Sequence, residues 1–259
     1  MRRSGQLFSP GRLVLKWDGM QLYIIRHAQS ANNALFDQRY RVHDPHLTEL
    51  GHLQAEILAR HLADGPVRVP AADASSGDST APGPGFGITR LYCSPMLRAL
   101  QTAQPVGRAL GLAPEVWVEI HECGGVWVDH GDNGGIFGYP GIRRRELQEA
   151  FPGFSVPDNL TEEGWWHGGH EEACAWNARA AVVADRLRSW APCDERVALI
   201  THGAFSDRLL HALFGADGTE RVYYELYNTS ISAVDFGRDE QLSLRYLNRV
   251  DHLAPSLVT

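Results

Sequence analysis

Two histidines and two arginines of this chain stand near the ends of apolar stretches that are typical of buried strands. His27 directly follows Arg26 at the end of the first stretch, and His202 follows another. Arg98 comes shortly after a stretch that ends at Cys93. Guanidinium groups form planar, permanently charged forks that match phosphate oxygens, and a neutral imidazole can attack phosphorus. These residue types indicate phosphoryl transfer, provided that the fold brings them together.

The elements around these residues alternate between strands and helices. Strands are predicted over residues 21–25, 88–93, 115–118 and 196–201. Helices are predicted after Thr48, from the N-cap Ser94 to Leu110, and over residues 171–190 and 204–214. A final hairpin is predicted from strands over residues 231–236 and 242–248. This order predicts an α/β fold, a three-layer α/β/α sandwich with a mostly parallel mixed sheet. Ligands of such sheets bind at the carboxyl ends of the strands. We therefore expect His27, Arg98 and His202 to converge there.

The chain is expected to form a single domain over residues 20–259, preceded by an N-terminal extension over residues 1–19. An edge strand over residues 13–17 is the alternative for that extension. Residues 65–87 are rich in Gly, Pro, Ala and Ser, and residues 121–170 are rich in Gly and Trp. Both segments are therefore interpreted as insertions into the domain.

Composition narrows the classes of partner. The 259 residues include 24 basic and 31 acidic ones, a net charge of −7 with histidine neutral, which argues against nucleic acid or an anionic membrane as a partner. No apolar run approaches the length of a membrane-spanning helix. The four cysteines lie far apart without a Cys-x-x-Cys motif, which favours a cytoplasmic location. The expected partner is a small phosphorylated metabolite, and the oligomeric state is left open.

Four segments of the chain resemble motifs of the histidine phosphatase superfamily, which includes cofactor-dependent phosphoglycerate mutases and many phosphatases. They are Arg26-His27-Ala28-Gln29-Ser30-Ala31-Asn32-Asn33, Leu47-Thr48-Glu49-Leu50-Gly51, Ser94-Pro95-Met96-Leu97-Arg98-Ala99-Leu100-Gln101-Thr102-Ala103 and Thr201-His202-Gly203. The segments occur in the family's order and roughly with its spacing. The resemblance implies a phosphoglycerate mutase-like fold. It also implies a phosphomonoester hydrolase that works through a covalent phosphohistidine and needs neither a metal nor another cofactor.

The resemblance implies a role for each matching residue. His27 matches the nucleophile that becomes phosphorylated. Arg26, Arg98 and His202 match the phosphate pocket, and Asn33 matches an asparagine that also touches phosphate. His202 is counted among the catalytic residues as well, because an imidazole there can donate hydrogen bonds to the phosphoryl group during its transfer.

The remaining role is that of a general acid, which protonates the leaving oxygen. The family usually takes it from a carboxylate after the next strand, just before a glycine. Glu122 and Glu119 are the two candidates in this chain. Glu122 is favoured because it directly precedes the turn into Gly124-Gly125.

Three alternatives to a metal-independent phosphatase stay open. A phosphoglycerate mutase-type phosphotransferase is disfavoured, because the mutase-type Glu-Arg-His-Tyr-Gly segment is not found after the third strand. A weakly active phosphate-binding module is suggested by Ala28, where the family usually has glycine. A metal-dependent hydrolase would need ligands from pairs such as His43 and His46 or His167 and His170. Neither pair has the spacing of two ligands on a rigid helix, so no metal site is predicted.

Overall fold

The fold is taken from a computed structural model, which describes residues 19–65, 85–131, 134–215, 222–237 and 241–259. Its strands are β1 (Gln21–Arg26), β2 (Arg90–Cys93), β3 (Glu115–Val116), β4 (Trp127–Asp129), β5 (Ile136–Gly138), β6 (Arg196–Thr201), β7 (Ile231–Phe236) and β8 (Leu242–Arg249). Its α-helices are α1 (Ala31–Ala34), α2 (Glu49–Asp64), α3 (Leu97–Leu110), α4 (Arg144–Ala150), α5 (Ala173–Trp190) and α6 (Gly203–Phe214). None of these helices is both long enough and apolar enough to cross a membrane.

The main sheet of the described residues has six strands in the order β3-β2-β6-β1-β7-β8. Strands β1, β2, β3 and β6 run parallel, and β7 and β8 add an antiparallel hairpin next to β1. The predicted mostly parallel mixed sheet is thus confirmed. In the register of the central pair, Arg26 lies opposite Thr201. Since His27 and His202 each follow by one residue, the two histidines leave the sheet side by side.

Helices cover both faces of the sheet because apolar side chains alternate along its strands. Tyr23 and Ile25 of β1 belong to a core cluster that includes side chains of α2 and α3. Leu22 and Ile24 belong to a second cluster with side chains of α5 and α6. Successive residues of a strand point to opposite faces, so this apolar run requires cover on both sides. The three-layer α/β/α arrangement is confirmed.

The second predicted helix starts later than the sequence suggested. Its first residue is Leu97, and Ser94 is not its N-cap. The backbone N–H of Leu97 instead donates to both carboxylate oxygens of Asp44, at 3.0 and 3.2 Å. The Ser94 hydroxyl accepts the N–H of Met96 at 3.3 Å and is also hydrogen-bonded to His202 in the candidate site. Because the cap comes from a segment far away in the chain, local sequence could not reveal it.

The segment interpreted as the second insertion, residues 121–170, contains a two-stranded antiparallel sheet formed by β4 and β5. Glycine-rich sequence without clear alternation did not predict these strands. The helix predicted over residues 171–190 begins at Ala173. The N-terminal extension up to residue 18, with its alternative edge strand, lies outside the described residues, as does most of the first insertion, residues 66–84.

Candidate active site

His27 lies directly after β1 and is almost completely buried, with 2% of its surface exposed. Its Nδ1 lies 2.7 Å from the carbonyl oxygen of Ala28. A carbonyl can only accept, so Nδ1 carries the proton and Nε2 holds an unprotonated lone pair. Burial and the charges of Arg98 and Arg26 hold the pKa of His27 well below its usual value. The ring is therefore neutral, as a nucleophile must be.

His202 lies beside this ring, at the N-terminus of α6. The centroids of the two imidazoles are 5.0 Å apart. Nε2 of His202 is hydrogen-bonded to the hydroxyl of Ser94 at 2.7 Å. Its Nδ1 is buried and has no hydrogen-bond partner among the described residues. Burial, together with the positive charge of Arg98, also lowers the pKa of His202 well below its usual value.

Both predicted arginines lie near this pair of histidines. In the first turn of α3, Arg98 donates its Nε–H to Nε2 of His27 at 3.1 Å. Arg26 donates one guanidinium N–H to the carbonyl oxygen of Leu226, while its buried Nε has no partner in the part of the chain that the structure describes. Burial lowers the pKa of both arginines. Arg98 thus contacts the nucleophile directly, and the charge of Arg26 acts on the nucleophile at close range.

Asp44 is a member of the site that the sequence did not single out for this role. Its carboxylate lies 3.6 Å from Nη1 of Arg98, and its side chain is only 9% exposed. Burial raises the pKa of this carboxyl to about 6, although the charge of Arg98 opposes the increase. Asp44 lies between His43 and His46, where the sequence suggested only an unfavoured metal motif. It holds the end of Arg98 that does not contact His27.

The two candidate proton donors differ in position. Oε1 of Glu122 accepts backbone N–H groups from Cys123 and from Phe205 of α6, both at 2.9 Å. Its negative charge opposes the lowering effect of burial on the pKa of Arg26 and of Arg98, so the carboxylate lies within electrostatic reach of both. The carboxylate of Glu119 instead faces the amide of Asn159 at 3.5 Å. The structure therefore groups Glu122 with the phosphate-binding candidates.

Asn33 lies beside the site, but its amide oxygen already has partners. Oδ1 accepts the backbone N–H of Ser30 at 3.1 Å and its hydroxyl at 2.9 Å. It also accepts a longer bond of 3.4 Å from Asn228. Asn228, which the sequence did not single out, donates to the carbonyl oxygen of His27 at 2.8 Å. Of the two asparagines, Asn228 is thus the one that contacts the nucleophile's backbone.

Ala28 does not require the backbone conformation that favours glycine. In the described part of the chain, the non-glycine residues with positive φ are Thr229 and Asn248. The N–H of Ala28 donates to the Thr102 hydroxyl at 3.1 Å, and its side chain is fully buried. The departure from the family's usual glycine therefore causes no backbone strain here.

Three of the four histidines considered as metal ligands, His43, His46 and His170, have other partners. His43 stacks on Tyr139 with ring centroids 4.2 Å apart, and His170 packs edge-on against Trp127 at 4.6 Å. Nδ1 of His46 lies 3.3 Å from the amide of Gln101. Among the described residues, no group of three or more His, Cys, Asp or Glu side chains could hold a metal ion.

The chain belongs to the histidine phosphatase superfamily, branch 1. The model of that family matches residues 22–77 and 84–249, which include every candidate site residue named above. No curated protein matches the chain. The family resemblance found in the four motifs is thereby confirmed.

Solved structures with the same fold include several phosphatases. A phosphoserine phosphatase from Entamoeba histolytica, in complex with phosphoserine, superimposes with a TM-score of 0.55 at 18% identity, covering 91% of this chain and all of that one. A mycobacterial glucosyl-3-phosphoglycerate phosphatase gives 0.53 at 21% identity and coverages of 89% and 99%. A putative alpha-ribazole-5'-P phosphatase from Escherichia coli gives 0.56 at 20% identity and coverages of 89% and 97%. At such identities the likeness establishes the fold alone.

Proposed function

We propose that this protein is a metal-independent phosphomonoester hydrolase that acts through a phosphohistidine on Nε2 of His27. The observation that carries the proposal is the contact of 3.1 Å between that nitrogen and Nε of Arg98, beside His202. A buried lone pair that faces a guanidinium N–H marks the position where an anionic phosphoryl oxygen would be held. A phosphate oxygen bound there accepts the N–H of Arg98, and the lone pair of His27 then becomes available for attack.

In the first step, Nε2 of His27 forms a bond to phosphorus while the bond from phosphorus to the ester oxygen breaks. Arg26, Arg98 and His202 donate hydrogen bonds to the nonbridging oxygens, where they stabilise the charge of the transition state. Asn33 lies at the edge of the same region. Burial keeps the two imidazoles neutral, so that the arginines supply the positive charge that a metal would otherwise provide.

Glu122 is the proposed proton donor for the leaving oxygen. Both of its backbone hydrogen bonds go to Oε1, which leaves Oε2 to carry and deliver the proton. In the second step, the ionised carboxylate takes a proton from water as the water attacks the phosphohistidine. Inorganic phosphate leaves, and Nε2 of His27 and the acid form of Glu122 are restored. The expected substrate is a small phosphorylated metabolite, and the comparisons support phosphatase chemistry because neighbours with this fold are phosphatases.

The test is to replace the nucleophile and follow phosphate release from p-nitrophenyl phosphate. His27→Ala should lower kcat by at least about a thousand-fold and abolish the acid-labile phosphoenzyme, because it removes the proposed nucleophile. His52→Ala is the matched control, since His52 is an exposed residue of α2. Activity should persist in excess chelator.

Each of the other outcomes would contradict the proposal or favour one of the alternative functions. Retained activity or phosphoenzyme in His27→Ala would overturn the proposal. Loss of activity in chelator would favour a metal-dependent hydrolase. Binding of phosphate esters without turnover would indicate a phosphate-binding module. Transfer of the phosphoryl group to an added alcohol or phosphoglycerate in preference to water would indicate a mutase-type phosphotransferase.

A further inference from the structure

Arg179, on helix α5, binds the main chain just before Glu122. Its Nη1 donates to the carbonyl oxygens of Glu119 and His121, at 2.8 and 2.9 Å. Two hydrogen bonds from one guanidinium nitrogen thus hold the turn that presents the candidate proton donor. Neither bonded carbonyl belongs to a strand of the central sheet. This turn therefore depends on side-chain support for its position.

The other edge of the same guanidinium is occupied by Glu171. Nε and Nη2 of Arg179 donate to the two carboxylate oxygens of Glu171 at 2.9 and 2.6 Å, in a bidentate arrangement. The two side chains are only 10% and 8% exposed. Burial opposes ionisation of Glu171, but the neighbouring His121 and Arg179 hold the pKa of its carboxyl at about 2. The pair is therefore ionic at neutral pH.

Glu171 also holds the chain on the far side of the proton donor. Its backbone N–H donates to the carbonyl oxygen of Gly124 at 2.9 Å. Arg179 and Glu171 together thus bind the main chain both before and after Glu122. The guanidinium of Arg179 in addition lies over the ring of Phe205 at 4.8 Å, and the N–H of Phe205 donates to Glu122. Each segment that bonds the Glu122 carboxylate is therefore in contact with this ion pair.

From this arrangement we infer that the Arg179–Glu171 ion pair is a positioning device, which holds the carboxylate of Glu122 at the leaving-group oxygen. A buried ion pair is weak evidence for stability, since well-packed apolar residues often stabilise a fold as well or better. A role in geometry accounts better for a bidentate pair in which the Nη1 donors of the arginine both go to one turn. Small displacements of a catalytic group cost up to about a hundred-fold in rate.

The inference rests on the proposed function, and its test separates the two. Phenyl phosphate has a strongly basic leaving group that needs protonation, whereas p-nitrophenyl phosphate has a weakly basic one that does not. The value of kcat/KM for each substrate reports formation of the phosphohistidine. Glu122→Gln should lower kcat/KM much more for phenyl phosphate than for p-nitrophenyl phosphate, because only the former depends on the general acid.

Arg179→Lys should reproduce that difference, with a loss of about ten-fold or more for phenyl phosphate and less than about three-fold for p-nitrophenyl phosphate. Lysine keeps the charge, but its three N–H donors on one nitrogen cannot replace the four hydrogen bonds of Arg179, two to the carboxylate and two to the carbonyls. Glu171→Gln is the second variant and should show the same pattern. Arg188→Lys is the matched control, because Arg188 lies on the same helix and also donates to two carbonyls, those of Ala212 and Leu213, away from the site.

Thermal unfolding of each variant is measured alongside the rates. Equal losses with both substrates, or failure of both variants to fold, would show that the pair only supports the fold and would overturn the inference. If Glu122→Gln itself shows no leaving-group dependence, the assignment of the proton donor fails. If His27→Ala retains activity, the proposed function itself fails, and this result is obtained independently of the Arg179 and Glu171 variants.

Discussion

Ala28 lies next to the candidate nucleophile, at a position where the family usually has glycine. Its Cβ is buried and belongs to a small apolar cluster with Leu47 and Ala55. Because the φ of Ala28 is not positive, Ala28→Gly relieves no strain. The substitution removes a packed methyl group and raises the conformational entropy of the unfolded chain. We expect the free energy of unfolding to fall by about 1 kcal/mol and turnover to change less than about two-fold.

Urea denaturation and steady-state turnover of p-nitrophenyl phosphate measure the two effects of Ala28→Gly separately. A many-fold increase in kcat would contradict the expectation, because it would show that the Ala28 methyl group crowds the bound phosphoryl group. A gain in stability would also contradict it. The alternative of a weakly active binding module drew its support from this one residue.

The residues that carry the proposed chemistry were visible in the sequence, whereas those that hold them were not. His27, Arg98 and His202 follow recognisable strands, and the ends of parallel strands meet at one edge of a sheet. Asp44, Asn228 and Arg179 act through side-chain contacts between segments that are distant in the chain. Local periodicity contains no signal for such contacts, so only the folded arrangement reveals them.

At the scale of a single element, the start of α3 also depends on a contact that local sequence does not reveal. Apolar stretches and the Ser94-Pro95 pair predicted a helix here, and α3 is present, but it is capped by Asp44 from the segment between α1 and α2. Asp44 thus connects a long loop, the first turn of α3 and Arg98. The alternation of strands and helices could be predicted because it depends on local pattern, whereas the cap depends on tertiary structure.

The buried cap predicts an unusual dependence of stability on pH. The pKa of the Asp44 carboxyl is raised from 3.8 to about 6 in the folded protein, so the protonated form is favoured there relative to the unfolded chain. Its contribution to stability is complete below the unfolded pKa and is lost as the pH rises through about 6. Asp44→Asn keeps an oxygen that can accept the N–H of Leu97 but does not ionise.

We expect the free energy of unfolding of the wild type, relative to Asp44→Asn, to fall by roughly 2 kcal/mol between pH 4 and pH 7.5. Urea denaturation of both proteins at several pH values measures this difference directly, because contributions from other groups cancel. A difference that does not vary with pH, or that grows in favour of the wild type as the pH rises, would contradict the raised pKa.

At the scale of the whole molecule, the segment that contains His27, after β1, is held by contacts that involve residues 257–259. Thr259 accepts the backbone N–H of Asn228 at 2.8 Å, and Asn228 donates to the carbonyl of His27. Gln54 of α2 donates to the carbonyl of Leu257 and to the hydroxyl of Thr259, and it accepts the N–H of Gln29. The last residues therefore join β1, α2 and the turn before β7 behind the site.

Deleting residues 257–259 should lower both stability and activity. The deletion removes the acceptors of the Gln54 amide N–H groups and of the Asn228 backbone N–H, and each buried group left unsatisfied costs about 1–3 kcal/mol. We expect the melting temperature to drop by several degrees and kcat to fall, because the carbonyl of His27 loses a firmly held donor. Thr259→Ser is the matched control, since it keeps both the hydroxyl and the backbone carbonyl. A deletion variant that melts and turns over like the wild type would show that the contacts of Asn228 with His27 do not depend on these residues.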